Sequence, residues 1–162
     1  MSNDTNENGL NQQLANFFPY RLAVLSEAVS RSMSQIYAAR FDLSRDEWRV
    51  LAALYKAPPV KTAAIIEHAT LDKLSASRAL ARMETKGLVS RSVDPEDARA
   101  YRVKLLPAGR ELYRKIEPLV LARERFLLED LSADELASLT ALHDKLLQRA
   151  RQLVEMGEEG RR

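Results

Sequence analysis

The chain has 162 residues, of which 46% are hydrophobic and 30% charged, which suffices for a buried core and excludes wholesale disorder. It contains no cysteine, which excludes disulfides and thiolate metal sites, and its two histidines give little support for a zinc site. The net charge of +2 conceals a basic middle, because residues 60–115 carry 12 basic and 7 acidic side chains. That segment predicts a surface that binds a polyanion such as a nucleic acid; the alternative is an ordinary solvent-exposed charged surface.

The chain begins with a polar segment that precedes the first predicted helix. Residues 1–15 are expected to form a flexible tail, and they lack the basic and apolar segments of a secretory signal. No apolar run approaches the roughly 18 residues of a membrane-spanning helix, so we expect a cytoplasmic protein with no membrane partner. Apolar side chains at three- and four-residue steps then predict a long amphipathic helix from about residue 17 to residue 40.

Three shorter helices are expected next. Ser44 and Glu47 have the spacing of a capping box and start the second helix, which the pair Pro58–Pro59 ends. A short third helix is expected to be capped by Thr62. The fourth helix is expected over residues 72–86, because the glycine that follows is the residue type most often found just past a helix end.

The periodicity then changes from helical to extended. Residues 88–93 and 101–105 predict the two strands of a hairpin, joined by a turn-rich connector over residues 94–99. A further helix is expected from residue 107 to about residue 130. A second capping box over residues 132–135 starts a Leu-rich final helix.

The fourth predicted helix separates an apolar face from a polar one. The apolar face carries Ala76, Leu80 and Met83. The opposite face carries Ser75, Arg78, Arg82 and Thr85. Short hydroxyls beside long cationic side chains suit insertion into a DNA major groove, where arginine can bond guanine through two hydrogen bonds. An ordinary surface helix with ion-paired arginines is the alternative.

The predicted hairpin brings more basic side chains close to this helix. They are Arg91, Arg99, Arg102 and Lys104. An arginine at a hairpin tip can enter the narrow minor groove, where the negative potential is greatest. Asp97 stands two residues before Arg99, so we expect a local salt bridge that orients the arginine; a turn-forming role is the alternative for Asp97.

Residues 44–109 resemble the MarR family of winged-helix transcription factors. The matching stretches are Leu43-Ser44, Glu47-Trp48-Arg49-Val50-Leu51, the run from Leu71 to Glu84, the run from Lys86 to Arg91, and Asp94-Pro95-Glu96-Asp97-Ala98-Arg99-Ala100. The resemblance implies a mainly α fold with a small β-hairpin. It divides the chain into a winged helix-turn-helix lobe over residues 43–107 and a helical dimerisation region made of residues 16–42 and 108–157.

The resemblance also implies a function and a partner. The expected protein is an obligate homodimer that binds double-stranded DNA at adjacent half-sites of a pseudo-palindromic operator, with repression the commoner mode of the family. The residues expected to contact DNA are Lys73, Ser75, Ser77, Arg78, Arg82, Asp97 and Arg99. The chain departs from the family pattern at Leu106, where the family usually has a threonine that caps the next helix, and Ala98 leaves one fewer charge in the wing.

The terminal helices give an independent argument for a dimer. They carry broad Leu-rich stripes, and a chain of this size has too little of itself left to cover them. Helices of a second copy would cover these stripes. The alternative is that the first and the last two helices cover each other within one chain.

A small-molecule effector follows from the resemblance as well. Many relatives bind small anionic aromatics or lipophilic acids between the dimer helices and the DNA-binding lobe, which shifts the protein away from its DNA-binding arrangement. The residues considered for such a site are Arg21, Tyr37, Trp48, Arg49 and His68. The simpler assignment puts the aromatic rings in the core, the arginines in ion pairs and the histidine at the surface.

Three other functions are weighed against a ligand-responsive repressor. An effector-independent winged-helix protein, controlled by abundance or by a protein partner, has the same fold. A purely protein-binding helical module would lack salt-dependent DNA affinity. An enzyme is not expected, and neither is a cofactor or a metal, because the chain has no nucleophile motif, glycine-rich phosphate loop or cluster of histidine with carboxylates.

Overall fold

The computed structural model describes residues 14–157, and helices dominate this part of the chain. The helices are α1 (Phe18–Phe41), α2 (Arg45–Leu54), α3 (Thr62–Ala69), α4 (Lys73–Thr85), α5 (Pro107–Leu128) and α6 (Ala133–Met156). The strands are β1 (Val60–Lys61), β2 (Val89–Asp94) and β3 (Asp97–Leu105). The prediction of a mainly helical chain with a small hairpin is confirmed.

Both predicted capping boxes are present. At the start of α2, the Ser44 hydroxyl accepts from the Glu47 backbone N–H at 3.2 Å, and the Glu47 carboxylate accepts from the Ser44 N–H at 2.7 Å. Ser132 and Glu135 form the same reciprocal pair at the start of α6. These side chains satisfy backbone donors that a helix start otherwise leaves unpaired.

The predicted cap at Thr62 is wrong. The N-cap of α3 is Lys61, which makes no side-chain capping bond, and Thr62 is already the first helical residue. The Thr62 hydroxyl instead donates to the Tyr101 carbonyl oxygen on β3 at 3.2 Å. The start of α3 is therefore set by its attachment to the sheet.

The sheet has three antiparallel strands in the order β1-β3-β2, one more than the sequence predicts. The extra strand pairs Val60 with Val103 and Lys61 with Arg102. The hairpin is also longer than predicted, since β3 begins at Asp97 and the register shifts between Val93 and Asp94. Cross-strand pairing thus carries the β-structure nearly to the hairpin tip.

The core lies between α2, α4, α5 and the inner face of the sheet. Its fully buried side chains include Val50, Leu51, Leu54, Leu80, Met83, Val103, Leu105 and Ile116. α1 adds Ile36 and Tyr37 near its C-terminal end. The apolar face predicted for α4 is confirmed, and this fixes which side of α4 points away from the protein.

The chain divides at Val120, inside α5, into two compact units. The second unit contains the end of α5 and all of α6, on which no residue is buried. None of the helices within residues 14–157 has the length and apolar character needed to cross a membrane. Of the predicted tail, residues 1–13 lie outside the described residues, and residues 14–16 form a short helical segment before α1.

Candidate nucleic-acid interface

The N-terminus of α4 is capped by Asp72. Its Oδ1 accepts from the backbone N–H groups of Leu74 and Ser75 at 2.8 and 2.9 Å, and its Oδ2 accepts from the Ser75 hydroxyl at 2.6 Å. The hydrogen bond from the Ser75 hydroxyl, with those from the backbone, holds the pKa of the Asp72 carboxyl below its usual value. The Ser75 side chain is therefore engaged in fixing the helix start.

The outward stripe of α4 lies opposite its buried face. Successive residues of a helix are rotated by about 100°, so positions four, three and four residues apart share one side. This stripe consists of Leu74, Arg78, Ala81 and Thr85, all of which are exposed. Leu74, at 58% exposure, was missed by the sequence analysis, although the same periodicity identifies it; apolar side chains at such positions contact thymine methyl groups.

The two flanks of α4 are joined to neighbouring elements by ion pairs. On one flank, Arg82 Nε lies 3.5 Å from Oε1 of the buried Glu47 on α2. On the other flank, Glu84 accepts hydrogen bonds from Arg91 on β2, with Arg91 Nε at 2.9 Å from Oε2. The Arg91 hydrogen bond lowers the pKa of Glu84, and the same bond raises that of Arg91. These pairs link α4 to α2 and to β2 on either side of the outward stripe, while the buried face of α4 sets its orientation.

A cationic cleft of about 620 Å³ lies between α3, α4 and the wing, which is the hairpin formed by β2 and β3. It is lined by four of the predicted DNA-contact residues: Lys73, Ser77, Asp97 and Arg99. Lys61 and Arg91 also line it, but they pair with Asp94 and Glu84, so the cleft cations without a carboxylate partner within residues 14–157 are Lys73 and Arg99. Lys61 was missed because β1, which places it, is a two-residue strand with no detectable periodicity.

At the wing tip, the predicted salt bridge between Asp97 and Arg99 is wrong. Asp97 Oδ1 accepts from the backbone N–H of Arg99 at 3.0 Å, so the carboxylate stabilises the chain conformation after the turn. Within residues 14–157, the Arg99 guanidinium forms no ion pair with a carboxylate. Its charge is consequently available to a ligand in the cleft.

The seven predicted DNA-contact residues thus fall into three settings. Four line the cleft, as described above. Arg78 stands alone among them on the outward stripe of α4. The other two contact neighbouring carboxylates: the Ser75 hydroxyl donates to Asp72, and Arg82 forms an ion pair with Glu47.

The residues considered for an effector site come together only in part, because Arg49 acts electrostatically on the Tyr37 hydroxyl while Arg21 lies far from it. Tyr37 and Trp48 do stack, with ring centroids 5.8 Å apart, in a ladder that continues through Tyr113 to Tyr55. Burial raises the pKa of the Tyr37 hydroxyl. Arg21 lies 16 residues before Tyr37, about 24 Å along the same helix.

The two remaining effector candidates have local partners. Arg49 Nη1 donates to the carbonyl oxygens of Ala69 and Thr70 at 3.5 and 3.3 Å, so its expected ion pair is replaced by bonds to the C-terminal end of α3. His68 is exposed, with Nδ1 2.7 Å from the Ala64 carbonyl oxygen. The surface position expected for His68 is confirmed.

Comparison with known sequences gives one family. A sequence model described as the MarR family matches residues 41–100. The transcriptional regulator HosA of Escherichia coli O111:H- is 32% identical over 110 residues, which cover 65% of this chain and 82% of that protein. These matches are to transcriptional regulators, in agreement with the expectation that the chain is not an enzyme.

Solved structures of the same fold include complexes. A MarR/EmrR family regulator from Acinetobacter sp. ADP1 is similar with a TM-score of 0.75 and 28% identity, covering 82% of this chain and 94% of that one. The S. aureus MepR-DNA complex has a TM-score of 0.74 at 22% identity, covering 82% and 98%. PcaV from Streptomyces coelicolor, in complex with its natural ligand, has a TM-score of 0.72 at 22% identity, covering 85% and 96%.

Proposed function

Because the chain belongs to the MarR family of DNA-binding transcriptional regulators, we propose that it is a homodimeric repressor that reads a pseudo-palindromic operator in the cytoplasm. The observation that carries this proposal is the cationic cleft, in which side chains of α4 and of the wing line one space. Convergence of a helix and a hairpin on one ligand suits adjacent grooves of a duplex. MepR, whose fold is similar, is known as a DNA complex.

In this proposal α4 is the recognition helix and enters the major groove. Arg78, on the outward stripe, bonds a guanine edge, and Leu74 contacts a thymine methyl group. Lys73 and Ser77 bind backbone phosphates at the mouth of the cleft, because short hydroxyls and lysines are common phosphate ligands. Arg99 of the wing enters the neighbouring minor groove.

The proposed dimer uses residues 16–42 and 108–157. Large apolar side chains are exposed along α1 and α6, including Phe18, Leu22, Leu25, Leu139, Leu142, Leu146 and Leu153. Apolar surface of this extent on a water-soluble protein marks an interaction site. A second copy would cover it and would place two recognition helices on successive half-sites.

We further propose release of the operator by a small anionic aromatic or lipophilic acid. PcaV, which shares the fold, is known with its natural ligand, and the ladder of stacked rings offers an aromatic surface near α2. The alternative is an effector-independent DNA-binding protein. It is favoured by the separation of Arg21 from the other effector candidates and by the local partners of Arg49.

Selection of duplexes from a random-sequence library by the purified protein tests the DNA-binding proposal. The expected result is a pseudo-palindromic motif whose binding weakens steeply with salt, because each neutralised phosphate releases counterions. Sedimentation velocity should give twice the mass of the chain. Failure to enrich any motif, or binding that ignores salt, would favour a protein-binding module.

Benzoate and octanoate are suitable probes for an effector. Trp48 is the only tryptophan of the chain and stacks between Tyr37 and Tyr113, so its fluorescence reports on the ring ladder. A ligand-responsive regulator should show a higher melting temperature with one of these acids, together with weaker DNA binding. No change in either quantity across these two acid classes would support the effector-independent alternative.

A further inference from the structure

Glu47 is a fully buried carboxylate where α2 meets α4. Its Oε2 accepts from the Ser44 N–H at 2.7 Å and completes the capping box. Its Oε1 is also buried but receives no hydrogen bond from the described residues. A buried carboxylate is costly to desolvate unless cations compensate it, and the capping role alone does not require the second oxygen to be buried.

Two cations compensate Glu47, one on α4 and one at its C-cap. Lys86 Nζ lies 3.3 Å from Oε1, and Arg82 Nε lies 3.5 Å from the same atom. Lys86 is only 27% exposed and also bonds the carbonyl and carboxylate oxygens of Asp42, so its charge is used within the protein. It ties the C-terminal end of α4 to the start of α2.

Arg82 is held differently. It approaches Glu47 through Nε, at the inner side of the guanidinium, and 58% of its side chain remains exposed. The outer edge of the guanidinium is thereby open to a ligand while its inner edge faces the carboxylate at ion-pair distance. An arginine held in this way loses less rotamer freedom on binding than one that is free in solvent.

We propose that Glu47 is a positioning residue for operator recognition, which directs Arg82 before DNA is bound. The carboxylate also offsets part of the attraction of Arg82 for phosphates in general. An anchored arginine therefore favours a correctly placed base edge over an arbitrary stretch of backbone. This inference rests on the proposed function of the chain as an operator-binding protein.

The test compares two duplexes, one selected by the wild-type protein from a random library and a scrambled version of it. Glu47→Gln keeps the side-chain size and an oxygen for the Ser44 N–H but removes the charge. It should lower the affinity ratio, that of the selected duplex over that of the scrambled one, about five- to tenfold, within the range for coupled neighbours. In an Arg82→Ala background the same substitution should leave the ratio unchanged, because its effect passes through Arg82.

The matched control is Glu111→Gln. This change also removes one negative charge, from an exposed pair with Lys115 at 2.8 Å, and it should leave the affinity ratio at its wild-type value. A purely structural role for Glu47 would lower both affinities equally, lower the melting temperature, and add to the effect of Arg82→Ala. That pattern would overturn the proposal.

Arg82→Lys provides a second test that leaves the buried carboxylate in place. A lysine can pair with Glu47 or reach DNA, but it lacks the second edge of a guanidinium and cannot do both. The affinity ratio should fall as far as in Arg82→Ala. An Arg82→Lys protein with the wild-type ratio would overturn the positioning role. If the wild type selects no duplex, the proposed function itself fails; if it does and Glu47→Gln behaves as wild type, only the positioning role fails.

Discussion

Asp94 and Arg102 form an ion pair within the wing, in which Arg102 Nε donates to Asp94 Oδ2 at 2.7 Å. Asp94 is only 2% exposed, and its other oxygen accepts from the Glu96 N–H at 2.8 Å. Nζ of Lys61, on β1, lies 3.7 Å from Asp94 Oδ2. One carboxylate therefore connects all three strands at the point where the hairpin shifts register. Because Arg102 is paired with it, the charge of Arg102 is neutralised within the protein.

This relationship predicts a pH-dependent contribution to stability. The Arg102 hydrogen bond, followed by the Glu96 N–H, holds the pKa of Asp94 below its usual value. A carboxyl whose folded pKa is depressed stabilises the fold above its unfolded pKa of about 3.9 and loses that contribution as pH falls through the folded pKa. Asp94→Asn should therefore melt below the wild type at pH 7, and the difference should shrink as the pH falls below about 4.

Thermal melts of both proteins between pH 7 and pH 2.5 measure this difference. Glu111→Gln serves as the control, because its carboxylate pairs with Lys115 at the surface and should change the melting temperature little. A gap between Asp94→Asn and wild type that stays constant across this range would show that the charge of Asp94 is not what stabilises the wing.

Arg78 is expected to dominate specificity on the outward stripe of α4. Arg78→Ala should weaken binding to a selected operator by about 1–3 kcal/mol if the contact to guanine is bidentate, and it should relax the preference at one base position. Affinity measurements on single-base variants of the operator check both effects. Lys56→Ala, which removes an exposed cation just after α2 and outside the proposed dimer region, should leave operator affinity unchanged. Equal affinities for Arg78→Ala and wild type would remove Arg78 from the reading surface.

The sequence predicts those parts of the fold that depend on neighbours along the chain. The capping box at Ser44 and the buried face of α4 follow from spacings of three and four residues. The position of Lys61 in the cleft does not, because it depends on the pairing of Lys61 with Arg102, 41 residues later. The ion pairs of Glu47 could not be predicted for the same reason: its capping partner is local, whereas Arg82 and Lys86 are brought to it by packing.

Arg99 is expected to contribute charge and groove contacts at the wing tip. Arg99→Ala should weaken operator binding and reduce the slope of log affinity against log salt by about 1, as for the loss of one phosphate-neutralising cation. The protein should keep its dimeric mass, because the guanidinium lines the cleft and the turn is stabilised through the Arg99 backbone. Sedimentation velocity checks the mass. Dissociation into monomers would assign Arg99 a structural role instead.

Gly109, in the first turn of α5, is expected to be intolerant of any side chain. A Cβ at this buried position would overlap the carbonyl oxygen of Leu88 and the side chain of Leu105. That carbonyl cannot retreat easily, because it accepts from the Leu106 N–H at 2.9 Å. Replacing glycine by alanine inside a helix ordinarily stabilises it by up to about 1 kcal/mol, so the contact should reverse the usual sign.

Gly109→Ala should therefore lower the free energy of unfolding by about 1–3 kcal/mol, the usual cost of overpacking. Urea denaturation with a fitted slope measures the change. The neighbouring exposed residue supplies the control, since Ala108→Ser should stay within about 0.5 kcal/mol of wild type. A more stable Gly109→Ala protein would mean that α5 can move away from the start of β2, and that the close approach of these two elements does not set the position of the wing.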